Sequence, residues 1–335
     1  MISRNIDLKK YNTFGFSANA ASFAAPLSVK ELQTLIHSGA TRDNKTLTLG
    51  GGSNMLFTGD FDGFIIHPLI GGIDAKRVND EKVIVTAGAG VIWDDLVAWA
   101  VKNGFGGTEN LSLIPGHTGA VAVQNIGAYG VEAADIIERV TCIDILTGEE
   151  HAFSCAECRF GYRDSIFKSE LKGKYIITEV SFKLSLKFKP NLGYGALREE
   201  VLRLGPETLE NTRAAVINIR RSKLPDPLLI GNAGSFFKNP VVPETVAANL
   251  KTNFPKTPCY DAGNGLVKVA AGWLIEQCGW KGFRRGDAGV YEKQALVLVN
   301  YGNATGKQIV DIASEISESV QNRFGISLER EVEVI

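Results

Sequence analysis

Residues 114–130 read Ile114-Pro115-Gly116-His117-Thr118-Gly119-Ala120-Val121-Ala122-Val123-Gln124-Asn125-Ile126-Gly127-Ala128-Tyr129-Gly130. Four glycines and one proline punctuate a run of small apolar residues, a composition that suits neither an ordinary helix nor an ordinary strand. Glycine is costly inside both, yet it admits positive φ and lets the backbone approach a neighbour closely. Backbone N–H groups in such turns can converge on anionic oxygens. A tight turn followed by a buried strand is the commoner cause of such clusters. Two features favour a ligand here: the length of the stretch, and a second turn like it, Gly50-Gly51-Gly52-Ser53-Asn54.

That second turn closes a βαβ pattern. Ser28 and Glu31 form a capping box. Leu32, Leu35 and Ile36 make an apolar stripe, and Gly39 stops the predicted helix. Residues 46–49 read as a strand running straight into Gly50. A strand ending in a glycine turn offers its N–H groups at the carboxyl end, where α/β folds tend to bind ligands. Residues 64–66 read as a further buried strand, so a first domain is expected over 1–70.

A second unit, 71–215, follows the same logic. Residues 82–87 form a strand ending in Gly88-Ala89-Gly90, and Trp93, Leu96, Val97 and Ala100 recur at helical spacing up to Gly104. Strands are expected at 140–146 and 175–186. A third unit begins near Arg220-Arg221-Ser222-Lys223-Leu224-Pro225-Asp226-Pro227, whose prolines and charges suit a boundary or an ordered loop. It holds an expected helix at 267–278 and a strand at 295–299. Its last helix is capped by Thr305, striped by Ile309, Ile312, Ile316, Val320 and Phe324, and ended by Gly325. A strand over 326–334 closes the chain.

The bulk numbers narrow the function. Thirty-six Lys and Arg against thirty-seven Asp and Glu leave a net charge of −1, which argues against attraction of the whole protein to nucleic acid or membrane. Five scattered cysteines are no disulfide framework. Cys155 and Cys158 are spaced C-x-x-C, but only His151 is near, too few ligands for zinc; no metal is expected. The first ten residues lack the apolar core of a signal peptide, and no apolar run is long enough to span a bilayer. A cytoplasmic location is expected.

No G-x-G-x-x-G opens a helix and no P-loop is present, so a nucleotide cofactor would be held by glycine turns from two domains. Arg163, in 161–168, offers a fixed fork of donors for developing negative charge, or pairs with Asp164 to tie down a loop. Ser235, in 231–240, follows Gly234 and precedes two phenylalanines; it reads as a proton donor, a nucleophile or a capping serine. Without a G-x-S-x-G elbow and matched His and Asp, acyl transfer is disfavoured. In the last strand Leu328, Arg330, Val332 and Val334 share one face and Glu329, Glu331 and Glu333 the other. The three glutamates suit a solvated edge, or one of them enters a pocket. Arg220, Arg221, Lys223 and Lys238 form either a diphosphate pocket or a solvated surface. Tyr194, between Gly193 and Gly195, reads as a turn residue or a ring able to swing over a ligand. His67 and His117 are the histidines near the glycine turns, which leaves open an oxidase with a His-linked flavin.

Seven of these stretches occur in order: Asn12-Thr13-Phe14, 50–54, 115–130, 161–168, 223–227, 231–240 and 328–332. Together they resemble the UDP-N-acetylenolpyruvoylglucosamine reductase family over nearly the whole chain, in the longer form that carries the Tyr194 loop. The resemblance implies an α+β FAD-binding fold of the vanillyl-alcohol oxidase type, with two cofactor subdomains (1–70 plus the returning strand 326–335, and 71–215) and a substrate domain (216–325). It implies non-covalent FAD held by Gly50, Gly51, Gly52, Ser53, Asn54, Pro115, Gly116, Gly119, Asn125, Gly127 and Tyr129. NADPH would reduce the flavin, which passes hydride from N5 to the vinyl carbon of an enolpyruvyl UDP-sugar. Arg163 and a protonated Glu331 would stabilise the enolate-like intermediate, Ser235 would deliver the proton, and Tyr194, Lys223, Asn239 and Gln294 would hold the nucleotide and its diphosphate. The resemblance further implies a role in peptidoglycan synthesis and a monomer. Three places depart from the pattern: His117 stands where a small residue such as Thr usually follows Pro-Gly, Arg330 stands where proline is common, and Val121-Ala122-Val123 is unusual.

Overall fold

The structure, a computed structural model, describes residues 1–42 and 44–335. The chain forms two compact units. The first comprises Met1–Ile6, Asn19–Gly52 and Phe61–Ser222; the second comprises Asp7–Ala18, Ser53–Asp60 and Lys223–Ile335.

Among the described residues the first unit contains two larger sheets. One is ordered Ser3–Asp7, Asn19–Ala24, Phe61–Ile66, Thr46–Thr48, with Phe61–Ile66 parallel to both of its partners. Val29–His37 supplies the crossover helix. Ser28 Oγ accepts the Glu31 N–H at 3.2 Å, as the capping box requires, but the Glu31 carboxylate reaches back to Leu27 N rather than to Ser28. The other sheet is antiparallel throughout, in the order Glu150–Ser154, Ile137–Asp144, Tyr175–Ser185, Lys82–Gly88, Ile73–Arg77. Helix Trp93–Lys102 belongs to its core, where Trp93 and Phe182 lie 5.6 Å apart. Leu32 and Ile36 from the crossover helix share a buried cluster with Ile143 and Ile176, which joins the two sheets. Each such fully buried aliphatic side chain contributes about 1.5–3 kcal/mol.

The second unit carries the sheet Gly231–Ser235, Val297–Asn300, Ala288–Val290, Arg284–Arg285. Helix Gly306–Phe324 packs Ile309, Ile312, Ile316 and Val320 into its core, with the full Thr305–Gln308 capping box and Gly325 in the left-handed region. The segment from Asp7 to Ala18 joins this unit for a reason visible at Asn12. Buried Asn12 donates to Leu8 O and Phe16 O and accepts from Phe16 N. The turn it shapes is stitched to the first strand: Thr13 Oγ1 donates to Asn232 O at 2.6 Å, Asn232 N to Thr13 O, and Asn300 Nδ2 to Phe14 O. Gly231 permits this, since a Cβ there would lie 2.2 Å from Phe14 O.

Several sequence expectations change. Residues 118–123 form a short helix, Thr118–Val123, followed by the hairpin Gly127–Ala128 and Val131–Glu132. The expected helix over 267–278 divides into a strand, Leu266–Val269, and a helix, Ala271–Gln277, because Val241–Pro243 and Cys259–Gly263 pair with the strand from both sides. Arg220 and Arg221 lie in the last turn of helix Leu209–Lys223 rather than in a loop. The closing strand is reduced to Glu333–Val334, parallel to Met55–Leu56, and residues 326–335 lie in the second unit. No helix among the described residues is long and apolar enough to cross a membrane.

Candidate active site

In the first unit the two glycine turns meet. A Cβ on Gly51 would lie 2.9 Å from Gly116 Cα, and one on Gly50 3.5 Å from Ala120 Cβ. Gly52 and Gly116 have φ of 60° and 127°. The stretch is pinned from behind: Thr118 N and Oγ1 both donate to Val91 O, Trp93 N donates to Gly116 O, and Gly119 N donates to Ala89 O. A Cβ on Gly119 would strike Ala89 Cβ at 2.7 Å. The result is a bare backbone cradle, and Pro115 stands exposed beside it.

The other end of the stretch organises Arg163. Asn125, Tyr129 and Arg163 all have left-handed backbones, with φ of 46°, 49° and 56°. Such non-glycine conformations cost on the order of 1–3 kcal/mol each and persist only where the surroundings impose them. Asn125 shows how. Its buried amide donates to Glu132 Oε2 and Gly161 O and accepts from Ala134 N. Its side chain therefore shapes the loop. The Arg163 guanidinium then donates to Gly127 O at 2.6 Å and Asn125 O at 3.3 Å, and lies 5.2 Å from the Tyr162 ring. A Cβ on Gly127 would meet Arg163 Nη1 at 2.9 Å, so the glycine makes room for the fork. Lys168 Nζ donates to Arg163 O.

Tyr129 and Tyr194 meet edge to face at 6.1 Å, so one residue expected at the cofactor and one expected at the substrate are neighbours. Asn110, fully buried, donates to Tyr129 O and Asn191 O and anchors both loops. Burial raises the pKa of the adjacent Glu109 carboxyl, against the opposing hydrogen bond from Gly107 N at 2.6 Å.

One of the four cations grouped in the sequence, Arg220, is set among the loops here. Arg220 Nε donates to Leu113 O, and burial lowers its pKa against the favourable charges of Tyr129 and Asp94. Asp94 is already committed, accepting both Arg213 Nη atoms at 2.7 and 2.9 Å and Leu113 N at 2.5 Å. Arg221 is exposed, Lys223 is exposed and falls in the second unit, and Lys238 pairs with Glu329 Oε1 at 2.5 Å. Of the four cations, Arg220 is thus the one built into the first unit's loops. Its signal was available: it lies four residues from buried Val216 on a helix face.

The second unit brings Ser235 and Glu331 together. Ser235 pairs with Val297 at the end of its strand, after Gly234 at φ 69°. Phe236 and Phe237, both buried, anchor the following turn. The closing segment runs antiparallel to it: Glu331 N donates to Phe236 O at 2.9 Å, Lys238 N to Glu329 O at 2.9 Å, and Phe237 bridges Arg330. Asn54 Nδ2 donates to Glu331 O, and Glu333 N to Asn54 O, so Ser53-Asn54 sits beside this segment. Asn239 Oδ1 accepts from Ala271 N, and Gln294 Oε1 would lie 2.9 Å from a Cβ on Gly272; both adjoin the start of one short helix. Cys158 lies elsewhere, its thiol pushed up to about 12 by burial.

Residues 226–335 match the family model for the UDP-N-acetylenolpyruvoylglucosamine reductase C-terminal domain, and residues 20–154 match an FAD binding domain. The chain is 48% identical over 337 residues to the UDP-N-acetylenolpyruvoylglucosamine reductase of Flavobacterium johnsoniae, covering 100% of this chain and 99% of that one. It is 46% identical over 334 residues to that of Bacteroides fragilis, covering all of both. The crystal structure of the Thermus caldophilus reductase superposes with a TM-score of 0.69 at 26% identity, over 100% of this chain and 98% of that one. A solvent-stable cholesterol oxidase shares the fold alone, with a TM-score of 0.51 at 12% identity over 98% of this chain and 86% of that one.

Proposed function

Because the chain belongs to the UDP-N-acetylenolpyruvoylglucosamine reductase family, we propose that it reduces UDP-N-acetylglucosamine enolpyruvate to UDP-N-acetylmuramate for peptidoglycan precursor synthesis, with non-covalent FAD as cofactor and NADPH as reductant. It is a flavin oxidoreductase with the α+β FAD-binding fold of the vanillyl-alcohol oxidase type. The residues of the first unit fit FAD: a bare cradle where Gly51 and Gly116 leave no space for a Cβ, and a buried His117 Nδ1 that lacks a partner. In this reading Gly50, Gly51, Gly52, Pro115, Gly116 and Gly119 hold the diphosphate through backbone, with Ser53 and Asn54 continuing the turn. Asn125, Gly127 and Tyr129 shape the loop beside it.

FAD, when bound and reduced, supplies the hydride that adds to the substrate's vinyl carbon. The chain's own residues manage the charge and the proton. The observation that supports their assignment is the antiparallel backbone seam of the second unit, in which Glu331 N donates to the carbonyl of Phe236, the residue after Ser235. Ser235 Oγ gives its proton to the α carbon and regains one from solvent. Arg163, its fork aimed by Asn125 and Gly127, acts with Glu331 on the negative charge that develops at the substrate carboxylate. Tyr194, Lys223, Asn239 and Gln294 bind the nucleotide sugar and its diphosphate.

Stopped-flow kinetics of Ser235→Ala tests this. Flavin reduction by NADPH should keep its rate, while reoxidation by the enolpyruvyl substrate should fall by about 10²–10⁴-fold, the usual worth of a placed general acid. Equal loss in both halves, or a loss of only about tenfold in the second, refutes the role.

A further inference from the structure

His67 and His117 face each other where the two glycine turns meet. Their ring centroids are 5.4 Å apart with 31° between the planes. His67 Nδ1 bonds to Leu49 O at 2.8 Å, so the residue just before Gly50 orients that ring. His117 Nδ1 is buried and makes no hydrogen bond among the described residues. A buried polar atom left unpaired costs about 1–3 kcal/mol, and one kept at the mouth of a bare backbone cradle calls for a ligand that completes it. From the elements packed against His117, the titratable group that faces it is His67; the 49–51 turn, Ile92 and Ala120 bring none. Among the described residues no carboxylate favours imidazolium at His117 before an anion arrives.

We infer that His117, backed by His67, is a proton-linked phosphate-binding element: it receives the diphosphate of the dinucleotide cofactor as an imidazolium and takes up a proton as the cofactor binds. The inference rests on the FAD reading above. Its physics follows from burial, which lowers the pKa of both rings and keeps them neutral while the cradle is without an anion. A diphosphate oxygen beside Nδ1 favours the charged ring and turns a neutral hydrogen bond into a charge-assisted one, roughly twice as strong. The sign is then fixed. Between the lowered value of the free protein and the raised value of the complex, binding consumes a proton, so affinity falls as pH rises. A threonine at 117 could bond to the same oxygen but would carry no such dependence.

The test is direct binding to protein stripped of flavin. Flavin fluorescence gives the Kd for FAD at pH 6, 7 and 8, and calorimetry in buffers of different ionisation enthalpy counts protons. Close to one proton should be taken up per FAD at pH 7, with Kd rising toward about tenfold per pH unit. His117→Thr and His117→Gln, shown folded by circular dichroism, should bind FAD with a flat pH profile. Riboflavin, which carries no phosphate, should show no pH dependence with the unaltered protein. Buffer-independent enthalpies for the unaltered protein, or a pH slope that survives in both variants, overturn the inference while leaving FAD binding intact. Failure of the unaltered protein to bind FAD at any pH overturns the functional reading itself, and the inference with it.

Discussion

Asp94 is the residue whose removal should tell most about how the glycine stretch is held. It accepts a bidentate pair from Arg213 and the Leu113 N–H, and it faces the half-buried Arg220. Leu113 has φ 58° and enters Ile114-Pro115-Gly116, so Asp94 fixes the strained entry to the cradle. Breaking a buried pair by deleting one partner costs about 3–5 kcal/mol. The side chains of Arg213 and Asp94 retain 15% and 26% exposure, so water relieves part of that, and about 3 kcal/mol is a fair expectation for Asp94→Ala. For a unit of this size each kcal/mol moves the midpoint by about 2–4 °C, so the first calorimetric transition should fall by about 6–12 °C. Asp94→Asn keeps one acceptor and should cost less. Burial raises the Asp94 pKa, but the bonds from Arg213 and Leu113 and the charges of Arg213 and Arg220 outweigh it and lower the net value. A lowered carboxylate contributes stability above its ordinary range and loses it as pH falls through the depressed value. The gap between native protein and Asp94→Asn should therefore be full at pH 7 and close on acidification below about pH 4. A fall under about 2 °C for Asp94→Ala, or a gap that widens in acid, refutes the account.

Two further outcomes follow from single atoms. Gly51→Ala puts a Cβ 2.9 Å from the backbone at Gly116, so it should weaken FAD binding by at least about tenfold, equivalent to about 1.4 kcal/mol, with little change in far-ultraviolet circular dichroism; unaltered affinity in a flavin titration refutes the close-approach argument. Glu109→Gln should raise the melting midpoint at pH 7 and lose that advantage at pH 4, because burial favours the protonated carboxyl and the amide oxygen can still accept from Gly107 N; a variant less stable at pH 7 than at pH 4, relative to native, refutes it.

Local signals made the helices legible. Ser28 and Thr305 cap where the spacing says they should, because a cap is satisfied by residues three positions away. What the sequence conceals is non-local. Residues 266–269 look helical in isolation, but two strands on either side supply the hydrogen bonds that decide the matter. The closing segment alternates as a strand should, yet its ladder is interrupted because Phe237 bridges Arg330 while the regular pairing is made later, with Met55–Leu56. Asn12-Thr13-Phe14 is a family marker in the sequence and a seam in the structure, closing on Asn232 across 219 residues. No window of a few residues contains that bond.

The same reasoning explains why the polar residues of the glycine stretch were harder to assign than its glycines. Glycine announces its purpose locally, since a missing Cβ means close approach or positive φ. Asn125, Tyr129 and Arg163 adopt positive φ with a Cβ present, which sequence alone would advise against. They do so because each is held by distant groups: Asn125 by Gly161 and Ala134, Tyr129 by Asn110, and Arg163 by the carbonyls that Asn125 and Gly127 present. Asn125 and Arg163 are further joined by a bond from the Arg163 guanidinium to Asn125 O. The Arg163 guanidinium thereby acquires its direction from two carbonyls, Asn125 O and Gly127 O, that no local rule would place there.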